Sequence, residues 1–210
     1  MLRAFSFLLL LSLLAACASP ALQESPSPEF AAEELYPVRN SGFEEAHVRR
    51  DATLPSYRTV QVEPLQLEDV EFTRMSVTGT VRRDWTMTPE REQNLQQSWA
   101  GAMQRAFGDY DLSGEGDQVL RISGELIRVR PRGVTKTAST PTGAPAGGSM
   151  DATDISVVLR LYDQGSERVL AGVGGRRTGA SLRWTRASGQ DMVHLFNSWA
   201  ALLETRVSGR

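Results

Sequence analysis

The chain of 210 residues carries one cysteine, Cys17, and two histidines, His47 and His194. One cysteine excludes an intramolecular disulfide. Two histidines leave little material for a histidine metal site or a Ser-His-Asp triad. Charge of one sign is also lacking: 23 Lys and Arg stand against 25 Asp and Glu, a net of −2. Bulk charge therefore gives no ground for nucleic-acid binding. Apart from the first 16 residues there is no long apolar run, so nothing else is apolar enough to span a bilayer. What is present suits one modest domain, 40% hydrophobic and 23% charged. That is enough chain to bury a core without metals or disulfides.

The opening segment is the most informative. Arg3 gives a short positive region, and residues 4–14, AFSFLLLLSLL, form an apolar stretch. It is shorter than the roughly 20 residues a spanning helix needs and reads as a signal peptide. It ends in Leu14-Ala15-Ala16-Cys17, the pattern of a bacterial lipobox. The chain's only cysteine falls where such a motif needs one. Residues 1–16 are thus expected to be a cleaved signal peptide and Cys17 a lipidation site. Two or three acyl chains would make a durable anchor, at about 0.8 kcal/mol per buried CH₂. Ala18 and Ser19 follow, without the Asp that retains lipoproteins at the inner membrane in enteric bacteria. The expected location is the outer membrane, facing the periplasm.

Residues 17–40 read as a lipidated cysteine and flexible tether, because QESPSPEFAAEE is acidic, Pro-rich and poor in branched apolar residues. Residues 41–210 read as a single domain, with a mobile loop at 133–150, GVTKTASTPTGAPAGGSM. Within the domain, 57–63 (YRTVQVE) alternates as a strand. Thr88-Pro89-Glu90 is a helix start, with an N-cap, a proline at the first position and an acid near the positive end. Leu95, Trp99, Ala102, Met103 and Phe107 then recur at helical spacing. Residues 119–130 form a long strand whose phase breaks at Ile127, indicating a bulge. Residues 155–162 and 168–176 form a hairpin across Asp163-Gln164-Gly165-Ser166. A last helix starts near Ser188, with Met192, Leu195, Phe196, Trp199 and Leu203 on one stripe. The expected fold class is α+β, in the order strand-helix-strand-strand-strand-helix. An antiparallel-rich sheet of about four strands would carry both helices on one face. It becomes mixed if the first two strands run parallel around the first helix.

Chemistry-bearing motifs are weak. Asp109-Tyr110-Asp111-Leu112-Ser113-Gly114-Glu115-Gly116-Asp117 resembles a calcium loop, but its twelfth position is Leu120 where a bidentate Glu belongs. It reads as a polar turn. His47 sits in a charged run and reads as solvated; His194 flanks an apolar helix face. Gly172-Val173-Gly174-Gly175 lacks the setting of a phosphate loop and reads as strand with something packed closely on it. No catalytic residue, metal site or cofactor is assigned. On the sheet face away from the helices, Val158, Arg160, Tyr162, Arg168 and Leu170 form the expected partner contact, a small apolar cluster rimmed by arginines.

The segments Ser41-Gly42-Phe43, YRTVQVEPLQL, the Thr88-Pro89 helix, LRISGELIRVRP, SERVLAGVGGRR and WAALLETRV resemble DUF3313, a family of bacterial lipoproteins of unknown function, over about residues 41–207. The resemblance implies a signal peptide and lipid anchor and brings no catalytic residues. The expected function is a non-enzymatic, lipid-anchored periplasmic domain that binds another envelope component, with the membrane and an envelope protein as partners and no nucleic acid. Alternatives are an accessory lipoprotein of an envelope transport or assembly system and, from a different class, a small envelope hydrolase.

Overall fold

The computed structural model describes residues 20–72, 87–131, 153–179 and 189–210. The signal segment, Cys17, Ser188 and the 133–150 loop lie outside these residues. Eight strands appear among them: β1 (Ala21–Leu22), β2 (Leu35–Arg39), β3 (Glu45–Arg49), β4 (Thr59–Val62), β5 (Glu71–Phe72), β6 (Val119–Pro131), β7 (Thr153–Asp163) and β8 (Arg168–Gly179). Two helices accompany them, α1 (Pro89–Ala106) and α2 (Gly189–Ser208). The sheet runs β1-β2-β3-β8-β7-β6-β4, with β5 pairing β6 further along the β4 edge. It is mixed. β4 and β5 run parallel to β6, and the other pairings are antiparallel. A parallel pair needs a long crossover, and α1 lies in the one between β4 and β6.

The class is α+β with two helices on one face, as expected, but four strands was too few. β1, β2, β3 and β5 were missed. β2 (LYPVR) and β3 (EAHVR) hold a proline and several charges, which hides their alternation. The expected tether is folded from Ala21 onward: β1 pairs β2, and β2 pairs β3. The order of the remaining elements holds.

α1 begins as its sequence dictates. The Thr88 hydroxyl accepts a hydrogen bond from the Arg91 amide at 3.3 Å, and Pro89 occupies the first turn. The phase break in β6 is a register shift between Leu126 and Arg128. Along β6, Leu120, Ile122 and Leu126 are buried, as are Ile155, Val157, Leu159 and Leu161 on β7. This face meets the helices.

Two glycines set how closely they approach. Trp99 of α1 packs closely on Gly124: a Cβ there would meet its ring at 2.8 Å. The indole N–H donates to the Glu63 carbonyl at 2.9 Å, so the buried ring has no orphaned donor. Trp199 of α2 covers Gly175 in the same way, with Nε1 at 3.2 Å from a Cβ position. Phe196 stands between the two indoles, with centroids at 5.9 and 6.1 Å in edge-to-face geometry. The glycine-rich stretch of β8 is therefore a strand made thin for a tryptophan.

Trp99→Ala is expected to cost about 3–5 kcal/mol, measured by denaturant titration. Gly124→Val is expected to destabilise by about 1–3 kcal/mol through overpacking. A loss below about 0.5 kcal/mol for either would contradict this packing.

Candidate functional site

The helices do not cover the sheet. Seven strands at about 4.8 Å spacing span roughly 30 Å, whereas two packed helices cover about 20 Å. α1 sits over β6 and β4, and α2 over β8 and β7. Among the described residues, the strip beyond β8, made by β3 and β2, has no third helix above it. Register shows which side chains face it: Ala46 pairs Val173, Val48 pairs Ala171, and Tyr36 pairs Val48. These lie on the helix side of the sheet.

An apolar groove of about 320 Å³ fills this place. Ala46 and Val48 of β3 line it with Ala171 and Val173 of β8; Leu203 and Val207 of α2 line it from the helix side. Phe43 and Leu54 line it from the β2–β3 turn and a 3-10 turn at Leu54–Ser56. Pro20, the first described residue, lines it too, as do Thr205, Arg206 and Arg210.

Local backbone geometry builds the walls. Asn40 and Gly42 take positive φ of 58° and 86°, turning the chain sharply between β2 and β3. Gly42 lets this turn press on Leu202, whose methyls lie 3.1–3.2 Å from the Cβ position. Arg206 donates from Nε to the Ser41 carbonyl at 2.7 Å. The Ser41 hydroxyl accepts from the Phe43 amide at 3.2 Å, which fixes the segment carrying the Phe43 ring. At the other end Gly209, with φ of 76°, lets the chain pass Pro55.

The 3-10 turn is tied to the hairpin beside it. The buried Tyr57 hydroxyl donates to Asp163 Oδ1 at 3.1 Å. Burial, then the bond to Asp163, pushes the Tyr57 phenol up to about 12. Hydrogen bonds from Ser166 and Tyr57 hold the Asp163 carboxyl below its usual range.

The expected partner contact is only partly assembled. β8 carries a bulge: Leu161 pairs Ala171 while Tyr162 pairs Val169, so Leu170 is the extra residue. Leu170, expected on the outer face, therefore turns inward and is 6% exposed, and Val169 stands opposite Tyr162 on the outer face. Val158, Arg160 and Tyr162 do share the outer face, but they form no apolar cluster, and Arg168, which pairs Asp163 one step past Tyr162, falls on the other face. Arg160 pairs with Glu125 at 2.9 Å and Arg168 with Asp51 at 2.8 Å. Arg121 lies 4.6 Å over the Tyr162 ring and pairs with Glu63 and Glu167. Ser123, on the same face, is buried and accepts from Gln66 Nε2 at 3.2 Å.

His47 is a second correction. It is half-buried in β3 with its ring 4.7 Å from Phe30, not solvated. His194 is exposed. The calcium-like stretch is a turn: Asp111 Oδ1 accepts from the Ser113 amide and Ser113 Oγ from the Glu115 amide. Among the described residues no group of three or more His, Cys, Asp or Glu is placed to hold a metal. The groove was missed in the sequence because Val38, Phe43, Val48 and Leu54 are scattered through charged, proline-bearing chain. The one signal was that Val38, in LYPVR, and Val48, in EAHVR, are branched residues of the type strands favour.

Tyr57 gives a pH test. A phenol whose folded pKa lies above its ordinary 10.0 adds stability below pH 10 that is lost as pH rises toward 12. The denaturant midpoint of the native protein is expected to fall across pH 10–12, and Tyr57→Phe to flatten that fall. Equal slopes in both proteins would contradict the Tyr57–Asp163 bond.

No family model matches the chain, and no curated protein matches it. The resemblance to DUF3313 thus gains no support from a family model. Solved structures do match. A PelC dodecamer structure from Paraburkholderia phytofirmans is 14% identical, covering 70% of this chain and 88% of that one, with a TM-score of 0.41. Protein XCC0632 of Xanthomonas campestris, described under DUF330, is 14% identical over 90% of this chain and 94% of that one, at 0.41. A minor lipoprotein from Acinetobacter baumannii is 9% identical over 73% and 94%, at 0.32. At such low scores these likenesses carry no argument about what this chain does.

Proposed function

We propose that this chain is a bacterial lipoprotein, cleaved after Ala16, lipidated on Cys17 and held at the outer membrane facing the periplasm. Its folded domain is then a non-enzymatic binding module, with the groove between β3 and the end of α2 as its binding site. The observation that carries this reading is the position of Pro20. It lines the groove and stands three residues after the lipobox cysteine. Three residues reach at most about 11 Å. A lipid on Cys17 would hold the groove close to the bilayer surface, with no long tether between.

The lining supports binding of an apolar group: aliphatic and aromatic side chains form most of it, with a few polar groups at the rim, the usual anatomy of a small-molecule site. An accessory domain of this kind acts on a molecule of the membrane beneath it. An envelope protein partner is assigned to the opposite, outer face, at Val158, Arg160 and Tyr162. A small hydrolase is the weaker reading, since no described feature of the groove favours it.

Replacing Cys17 by Ser is expected to yield an unprocessed or soluble form when cells are fractionated. A Cys17→Ser protein that loses its signal segment and still fractionates wholly with the outer membrane would overturn the anchor.

A further inference from the structure

We infer that the groove takes one acyl chain of an anionic phospholipid drawn from the bilayer beneath it, with the lipid phosphate on Arg206. The inference rests on the anchor reading for the source of the lipid. The chain-binding part rests on the groove alone.

Size and shape narrow the occupant first. About 320 Å³ lies at the low end of the roughly 300–1,000 Å³ common for small-molecule pockets. A helix with its side chains is about 10–12 Å wide, too broad for a slot of this volume. A single flexible hydrocarbon chain fits such a slot. Ala46, Val48, Leu203 and Val207 offer it no hydrogen-bonding side chain.

Charge narrows it further. Arg206 lines the groove, and its Nε is spent on the Ser41 carbonyl. Among the described residues its two terminal amino groups have no carboxylate partner, whereas the neighbouring Arg210 is paired with Glu204. The helix end nearby adds no positive field of its own, because carbonyls point outward there. A part-buried guanidinium beside an apolar slot matches an amphiphile with an anionic head. Guanidinium binds phosphate in a bidentate fork.

The source follows from reach. Pro20 lies at the groove, and Cys17 can be no more than about 11 Å from it. With Cys17 acylated, the mouth stands at the headgroup layer. The chain's own acyl groups are neutral and would leave Arg206 unmatched, and their insertion in the bilayer is what makes the anchor durable.

The test uses the mature lipidated protein in vesicles of equal phosphatidylethanolamine and phosphatidylglycerol, with a photoreactive group in one acyl chain of either lipid. After illumination, digestion and mass spectrometry, lipid is expected on peptides from β3 or the last turns of α2, several-fold more from phosphatidylglycerol. Ala46→Leu, which fills the slot from the strand side, is expected to reduce labelling several-fold without lowering the melting temperature. Arg206→Gln, which keeps a donor for Ser41, is expected to abolish the preference for the anionic probe. Absence of label from these peptides overturns the inference, as does equal labelling by the two probes. A cross-link between groove peptides and the residue-17 peptide, seen in cells grown on a photoreactive fatty acid, would place the chain's own lipid there and also overturn it. Failure of the anchor is separable: the protein would not float with the vesicles, yet when mixed with them it would still label at the groove.

Discussion

A seven-strand path is wider than two helices can roof, and most features of this molecule follow from that mismatch. Close packing of α1 and α2 over β4, β6, β7 and β8 is enforced by two thin places in the sheet, Gly124 under Trp99 and Gly175 under Trp199. Bulkier residues there would lift the helices and cost the aromatic contacts through Phe196. Drawing the helices down onto the central strands leaves β3 and β2 uncovered at one side. Apolar side chains on that strip, Val48 and Ala46, then need cover from elsewhere. The β2–β3 turn, the 3-10 turn at Leu54–Ser56 and the end of α2 provide only a partial rim, and the groove is what remains.

The rim is held by polar contacts rather than by a core of its own. Arg206 grips the Ser41 carbonyl, Ser41 orients the Phe43 segment, and Tyr57 joins the 3-10 turn to Asp163 at the hairpin end. Each bond contributes modestly, about 0.5–1.5 kcal/mol for the neutral Phe43–Ser41 bond and about 1.5–3 kcal/mol for the two that involve a charged group. Their importance is geometric: they fix short segments that could not otherwise repay their ordering entropy. The outer face follows a different economy. Its arginines, Arg121 and Arg160, are matched to Glu63, Glu167 and Glu125, and pairs that remain open to solvent add little stability individually while keeping the face polar.

The central elements were legible in the sequence because each is specified by a local rule. Thr88-Pro89 marks the start of α1, the phase break at Ile127 marks the bulge in β6, and the alternation of 155–162 gives β7. The parallel option for β4 and β6 was also legible, since a helix stands between them. β2 and β3 were not, because a strand near the sheet edge alternates against a half-polar environment and one of them carries Pro37. The inward turn of Leu170 depends on a bulge whose position is set by pairing with β7, not by β8's own residues. The groove is less legible still. It exists only because segments from both chain ends meet, Pro20 and Phe43 from one and Leu203 and Val207 from the other, and no local pattern encodes that meeting.

With Cys17 as the anchor, the groove side of the domain is expected to stand against the bilayer. Lipidation would consume the chain's only thiol, so an introduced cysteine can carry a unique fluorophore. The decisive measurement compares a probe at Thr205→Cys, at the groove, with one at Arg160→Cys, on the outer face, in protein bound to vesicles containing brominated lipids. Strong quenching is expected at the first position and little at the second. Equal, weak quenching at both would mean that the domain stands away from the membrane, and would contradict this expectation.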